Sequence, residues 1–318
     1  MDVLKLFDLT FRPDESLFFQ KNDANDIRFG EIVKADIRFY RKAKFVILGV
    51  PQDEGVKRNK GREGARHAPD DIRRAFYKLP IPNTISEGDV FDIGNTLVQG
   101  SLEQIHERHC QVIEQLLRDE KIVIVFGGGN DISYPDCKAL KQVFSEVMAF
   151  NIDAHFDVRA DTPCNSGTPY RQLLEENLLS PEYFFEIGSQ PFANSAAYQT
   201  YLIEKGVAIH PLESIRRYGI DQRLEDIIRH FTAPRAIFWG IDMDSVRASD
   251  APGVSAPSPI GFSAEEICHI AGIAGKHKRS KLLEITEVNP EFDIDGRTAK
   301  LAALITAYFI REKSTFER

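Results

Sequence analysis

The sequence predicts an α/β fold built on a mainly parallel sheet. Short apolar runs rich in Val, Ile and Phe recur at 45–50, 122–126, 147–152, 183–187, 236–241 and 282–285, with the length and β-branched content of strands buried on both faces. Amphipathic helical patterns lie between them. Strands alternating with helices make a parallel sheet covered by helices on both sides.

Each helix announces itself by its ends. Ser101 and Gln104 form a capping box that opens an amphipathic helix at 101–120, and Ser263 with Glu266 opens another. A third pattern, 194–205, stops at Gly206, and a fourth runs over 298–311. The longest irregular stretch is 244–262, which holds Pro252, Pro257, Pro259, Gly253 and Gly261. A loop of that length inside a compact domain is more often functional than idle. No repeat or linker divides the chain, so 1–318 reads as a single domain, with about 1–43 as an N-terminal extension.

Composition excludes several classes. A formal net charge of -8 and the lack of any basic stripe argue against nucleic acid and anionic membranes as partners. No apolar run approaches the roughly 20 residues of a membrane span, and the opening MDVLKLFDLTFRPDE lacks the apolar centre of a secretory signal. The four cysteines, 27 or more residues apart, suit reduced thiols. A soluble, cytoplasmic globular protein is the expectation.

The polar residues carry the chemistry. Four of the expected strands end in unusual segments: GGGND (127–131), DAHFD (153–157), GIDMD (240–244) and EITEVNP (284–290). Ligands of open α/β sheets collect beyond the carboxyl ends of strands. In extended chain residues two apart share a face, so Asp153, His155 and Asp157 are expected to converge, as are Asp242 and Asp244. Acids crowded at the end of an apolar sheet repel one another unless a cation holds them. Four carboxylates and one imidazole favour Mn²⁺ or a similar hard ion. GGGND is neither a Walker loop nor a Rossmann fingerprint. An aspartate after a strand is often only a turn former, and the case here rests on two such motifs together.

With these motifs in hand, the chain resembles the ureohydrolases, the family of arginase, agmatinase and formimidoylglutamase, from about residue 45 to 310. DAHFD is similar to that family's DAHxD, GIDMD to its xDxD and TEVNP to its EVNP. DEGVKRNKGREGARHAPDDIRRA (53–75), SGTP with YRQ (166–172) and APGVSAP (251–257) point within the family to formimidoylglutamase. The resemblance implies a three-layer α/β/α fold, a binuclear Mn²⁺ site and a homo-oligomer, trimer or hexamer. It also implies hydrolysis of N-formimidoyl-L-glutamate to glutamate and formamide in histidine degradation.

By the same resemblance Asp153 and Asp242 bridge two metals, His155 and Asp244 complete the second site, and Asp157 completes the first and hydrogen-bonds the attacking oxygen. Two metals about 3.5 Å apart can acidify one water. Glu287 pairs with the cationic formimidoyl nitrogen. Arg171, Asn165 and Ser166 are the candidates for the substrate carboxylates. Where the family has a histidine after the glycines, this chain has Asn130. An amide oxygen is a weaker donor than imidazole to a transition metal, so the first ion is expected to bind less tightly. Asp131 is the alternative ligand at that position, though alternation turns it away. His106 and His109 read as solvated or capping groups, His67 stays open, and Trp239 belongs to the core. Two alternatives remain: a guanidino hydrolase releasing urea, and an inactive metal-binding homologue.

Overall fold

The computed structural model describes residues 6–316; the first five residues of the opening segment lie outside the described residues. Its frame is one nine-stranded sheet. The strands are β1 (Thr10–Phe11), β2 (Phe45–Gly49), β3 (Val90–Thr96), β4 (Ile122–Phe126), β5 (Val147–Ile152), β6 (Phe184–Ile187), β7 (Ala208–His210), β8 (Ala236–Asp242) and β9 (Ser280–Thr286), in the order β1-β3-β2-β4-β9-β8-β5-β6-β7. All neighbours run parallel except β1, which pairs antiparallel with β3.

Side-chain alternation along the strands divides the core into two layers. Phe45, Ile47, Ile124, Phe126, Phe150 and Trp239 face one way, toward the helices Ala68–Phe76, Ala264–Lys276 and Arg297–Phe316. Val46, Leu48, Val123, Val125 and Ala149 face the other, toward Leu102–Arg118 and Ser133–Val143. Trp239 is fully buried, stacks on Phe150 and donates its indole N–H to Ser280 Oγ at 2.9 Å. Both expected capping boxes form, each contributing about 1 kcal/mol to its helix start.

The strands that the sequence hides are β1, β3 and β7. β3 contains Asp92 and Gly94, which break the apolar run. Asp92 is nonetheless buried, because the buried guanidinium of Arg73 donates to it from Nε at 2.7 Å and from Nη2 at 2.9 Å. Among the described residues no helix is long and apolar enough to cross a membrane.

Candidate metal centre and active site

The central strands β4, β9, β8 and β5 are adjacent, and they are the four whose carboxyl ends carry GGGND, TEVNP, DMD and DAHFD. Sheet order thus assembles in one place what the chain keeps up to 160 residues apart (Glu287 against Gly127).

The groups converge, though not through strand alternation. β5 ends at Ile152 and β8 at Asp242. Beyond those points aspartate turns take over: Asp153 Oδ1 accepts the N–H of His155 at 2.8 Å, and Asp242 Oδ1 accepts that of Asp244 at 2.9 Å. Asp157 and Glu287 have φ of +47° and +61°, a region that side-chain-bearing residues enter rarely and at a cost of about 1–3 kcal/mol. At Glu287 the turn is pinned by its N–H, which donates to Gly128 O at 2.9 Å. Gly128 in turn must be glycine, since a Cβ there would lie 1.6 Å from the carbonyl oxygen of Gln52.

Two groups of three side chains place their ligand atoms within 4.8 Å of one another: Asp153, His155 and Asp244, and Asp153, Asp157 and Asp242. Asp153 belongs to both. His155 Nδ1 lies 3.3 Å from Asp244 Oδ1 and 3.5 Å from Asp153 Oδ1. Burial, then the charge of Asp244, pushes Asp153 up to about 6; burial, then Asp153, pushes Asp157 up to about 8. Asp242 and Glu287 rise well above the carboxylate range for the same reasons, burial first and the Asp244 charge second. His155 is raised chiefly by Asp244. Asp244 Oδ1 and Glu287 Oε2 are buried without a hydrogen-bond partner. Crowded, under-satisfied oxygen donors with one imidazole fit hard divalent cations.

Asn130 lies at the edge of these groups. Its Nδ2 donates to Asp157 Oδ2 at 2.6 Å, while its Oδ1 accepts from Thr286 Oγ1 at 2.9 Å and Ser133 Oγ at 3.0 Å. Asn130 thus stands in hydrogen-bond contact with Asp157, a member of the second group of ligand atoms. Its backbone N–H donates to Glu287 Oε1 at 3.0 Å, leaving Oε2 as the unpartnered oxygen. Asp131 turns away, as expected, accepting from Gln52 Nε2 at 2.8 Å and lying 2.7 Å from His106 Nε2.

A cavity of about 290 Å³ opens above these groups, with Asp157, Asp242, Asp244 and Glu287 in its lining. A wider cleft of about 630 Å³ at the opposite end of the sheet, beside Lys44, Lys121 and Lys281, adjoins neither of these groups of ligand atoms. Three sequence segments wall the smaller cavity: Asn59 to Gly61, Ser166, and Ser255 with Ala256. Ser166 is thus at the site, and its Oγ accepts from Asn59 Nδ2 at 3.0 Å.

Asn165 and Arg171 do not line the cavity. Asn165 braces its own loop, donating to Asp161 Oδ2 at 3.0 Å and accepting from the N–H of Gly167 at 2.9 Å. Arg171 lies on the helix Pro169–Glu175, where it pairs with Glu175 at 2.5 Å and lies over the ring of Tyr201. The helix start after Thr168 turns it away from the cavity. Asn59, Lys60 and Arg159 were missed; the first two stand in 53–75, whose resemblance to formimidoylglutamases was the available signal.

His106 and His109 are buried rather than solvated. His109 Nδ1 lies 2.8 Å from Thr96 Oγ1, and its Nε2 lies 2.8 Å from Asp136 Oδ1. His67 is exposed beside Glu291.

A model of the Arginase family matches residues 43–311. This chain belongs to the arginase family. Among curated arginase-family proteins, the formimidoylglutamase of Staphylococcus carnosus (strain TM300) is 33% identical over 303 residues, covering 93% of this chain and 94% of that protein. Among solved structures, Trypanosoma cruzi formiminoglutamase with Mn²⁺ superposes with a TM-score of 0.85 at 30% identity, over 91% of this chain and 99% of the other. Formimidoylglutamase from Bacillus subtilis gives 0.83 at 26% identity, over 94% and 97%.

Proposed function

We propose that this protein is a formimidoylglutamase, a metal-dependent hydrolase that splits N-formimidoyl-L-glutamate with water into L-glutamate and formamide, a step of histidine degradation. The observation that carries this reading is the meeting of two ligand groups that share Asp153 with walls drawn from the three segments similar to formimidoylglutamases. The formimidoylglutamase matches over nearly the whole chain support it.

Manganese is the proposed metal, supported by the donor set and by the Mn²⁺ of the Trypanosoma cruzi enzyme. Asp153, His155 and Asp244 would hold one ion, and Asp153, Asp157 and Asp242 a second. The second set lacks an imidazole, and Asn130 beside it offers only an amide oxygen, a weaker donor, so it is the weaker of the two. When bound, the ions supply Lewis acidity that makes water a nucleophile at neutral pH.

The protein's own groups do the rest. Glu287 Oε2, buried and unpartnered, accepts a charge-assisted hydrogen bond from the cationic amidine nitrogen and orients the carbon for attack. Asp157, steadied by Asn130, accepts the hydrogen bond of the attacking water. The C–N bond to the glutamate nitrogen breaks, and that nitrogen leaves as the amine. A cytoplasmic homo-oligomer, trimer or hexamer, completes the proposal; the four free thiols agree with a reducing compartment.

The deciding experiment is product release from N-formimidoyl-L-glutamate by protein preincubated with excess Mn²⁺, with Asp242→Asn as control. Metal-dependent glutamate and formamide, lost in the control, are expected. Silence at normal metal content would overturn the reading.

A further inference from the structure

We propose that Lys60 and Arg159 form the carboxylate subsite, their two cations holding the two carboxylates of the substrate and setting specificity for an amidine of a diacid. The inference rests on the function proposed above. Both residues are exposed and line the cavity whose acids, Asp242, Asp244 and Glu287, are buried. The cavity therefore has an acidic floor and a cationic mouth.

Neither cation is spent elsewhere. Lys60 and Arg159 have no ion pair and no side-chain hydrogen bond among the described residues, although carboxylates line the same cavity. The arginines around Lys60 are committed: Arg58 to Glu103 at 2.6 Å, Arg62 to the Ser255 carbonyl at 3.0 Å and the Phe292 ring, and Arg66 to Asp53 at 3.7 Å. Two cations without an ion pair at the mouth leave their charge to an incoming anion. A substrate with an amidinium at one end and two carboxylates at the other matches floor and mouth together.

The backbone holds both residues in place. Asn289 Nδ2 donates to the carbonyls of Arg62 at 2.9 Å and Glu63 at 3.0 Å, and Asp53 Oδ2 accepts the Gly64 N–H at 2.7 Å, which fixes the loop that carries Lys60. Arg159 donates its N–H to Gly167 O at 2.8 Å. Its side chain lies along Gly167, where a Cβ would come within 2.7 Å of Cδ and 2.8 Å of Nε. Glycine in the SGTP segment is what lets the guanidinium lie there.

The test compares Lys60→Met, Arg159→Met and Arg159→Lys with the wild type, all Mn²⁺-loaded, on N-formimidoyl-L-glutamate and on formamidine, which has no carboxylate. The expected result is a loss of kcat/KM on the diacid, carried by KM, that exceeds the loss on formamidine by about tenfold or more in each Met variant, with partial recovery in Arg159→Lys. Equal losses on both substrates, or an unchanged KM, would overturn the subsite. If the wild type hydrolyses neither amidine, the proposed function has failed, and calorimetric titration with L-glutamate decides the subsite separately. Binding at least about tenfold weaker in the double Met variant supports it; equal binding, or none to the wild type, overturns it.

Discussion

Two clusters of acids and imidazoles stand near the carboxyl ends of the central strands, and their treatment differs. In the cavity, Asp153, Asp157, Asp242 and Asp244 crowd around the single imidazole of His155, and Glu287 joins them in the lining. Behind it, Asp131 accepts from Gln52 and meets His106, Asp136 meets His109, and Glu284 accepts from Ser133 at 2.6 Å, all buried. The same residue types serve opposite ends. Both clusters leave buried carboxylate oxygens without hydrogen bonds; where acids far outnumber imidazoles and open on a cavity, the missing charge comes from outside, and where acids and imidazoles are nearly balanced and closed in, the cluster ties elements together.

The sharpest way to break this contrast is to remove a charge from each side. Asp242→Asn should cost more than about a hundredfold in kcat, since loss even of groups that only support metal ligands costs that order. Its metal-free form should melt no lower than the wild type, because one repelling acid is gone. Glu287→Gln keeps an oxygen for the Asn130 N–H but loses the charge offered to the amidine, and kcat/KM should fall by about a hundredfold with metal content unchanged. His109→Ala, on the closed side, should instead lower unfolding stability by about 3 kcal/mol, measured by denaturant titration, with KM unaltered.

pH sharpens the comparison further. Asp153 and Asp157, raised to about 6 and 8, favour their protonated forms in the metal-free fold. Their stabilising contribution is complete below the ordinary carboxylate value near 3.8 and is lost as pH rises through 6 to 8. Metal-free protein should therefore melt progressively lower over that range. Added Mn²⁺ should raise the melting temperature more at pH 8 than at pH 6, because ligands bind deprotonated; a gain that shrinks with pH would contradict this. The smallest effect belongs to Arg171→Ala, which should leave kcat/KM on N-formimidoyl-L-glutamate within about twofold, as for a surface change.

Much of this was legible because the relevant physics is local. A six-residue run such as Val147–Ile152, apolar but for Asn151, has few ways to be buried, and its position reads directly from composition. The capping boxes at Ser101 and Ser263 likewise depend only on residues three apart. β3 escaped notice because Asp92 is neutralised by Arg73, 19 residues earlier, a pairing with no local trace. His109 was misread for the same reason: its partners, Thr96 and Asp136, come from another strand and another helix.

By itself, then, the sequence determined six of the nine strands, the helix starts at Ser101 and Ser263, and the set of acids and histidine beyond four strand termini, since each depends on neighbours in the chain. Only the tertiary structure decided that β4, β9, β8 and β5 lie side by side, so that those termini meet. It also turned the Asn130 oxygen toward Thr286 and Ser133, directed Arg171 to Glu175, and left Lys60 and Arg159 unpaired at the cavity mouth. Where a side chain points depends on which distant donors and charges surround it, and that is settled only when the sheet is assembled.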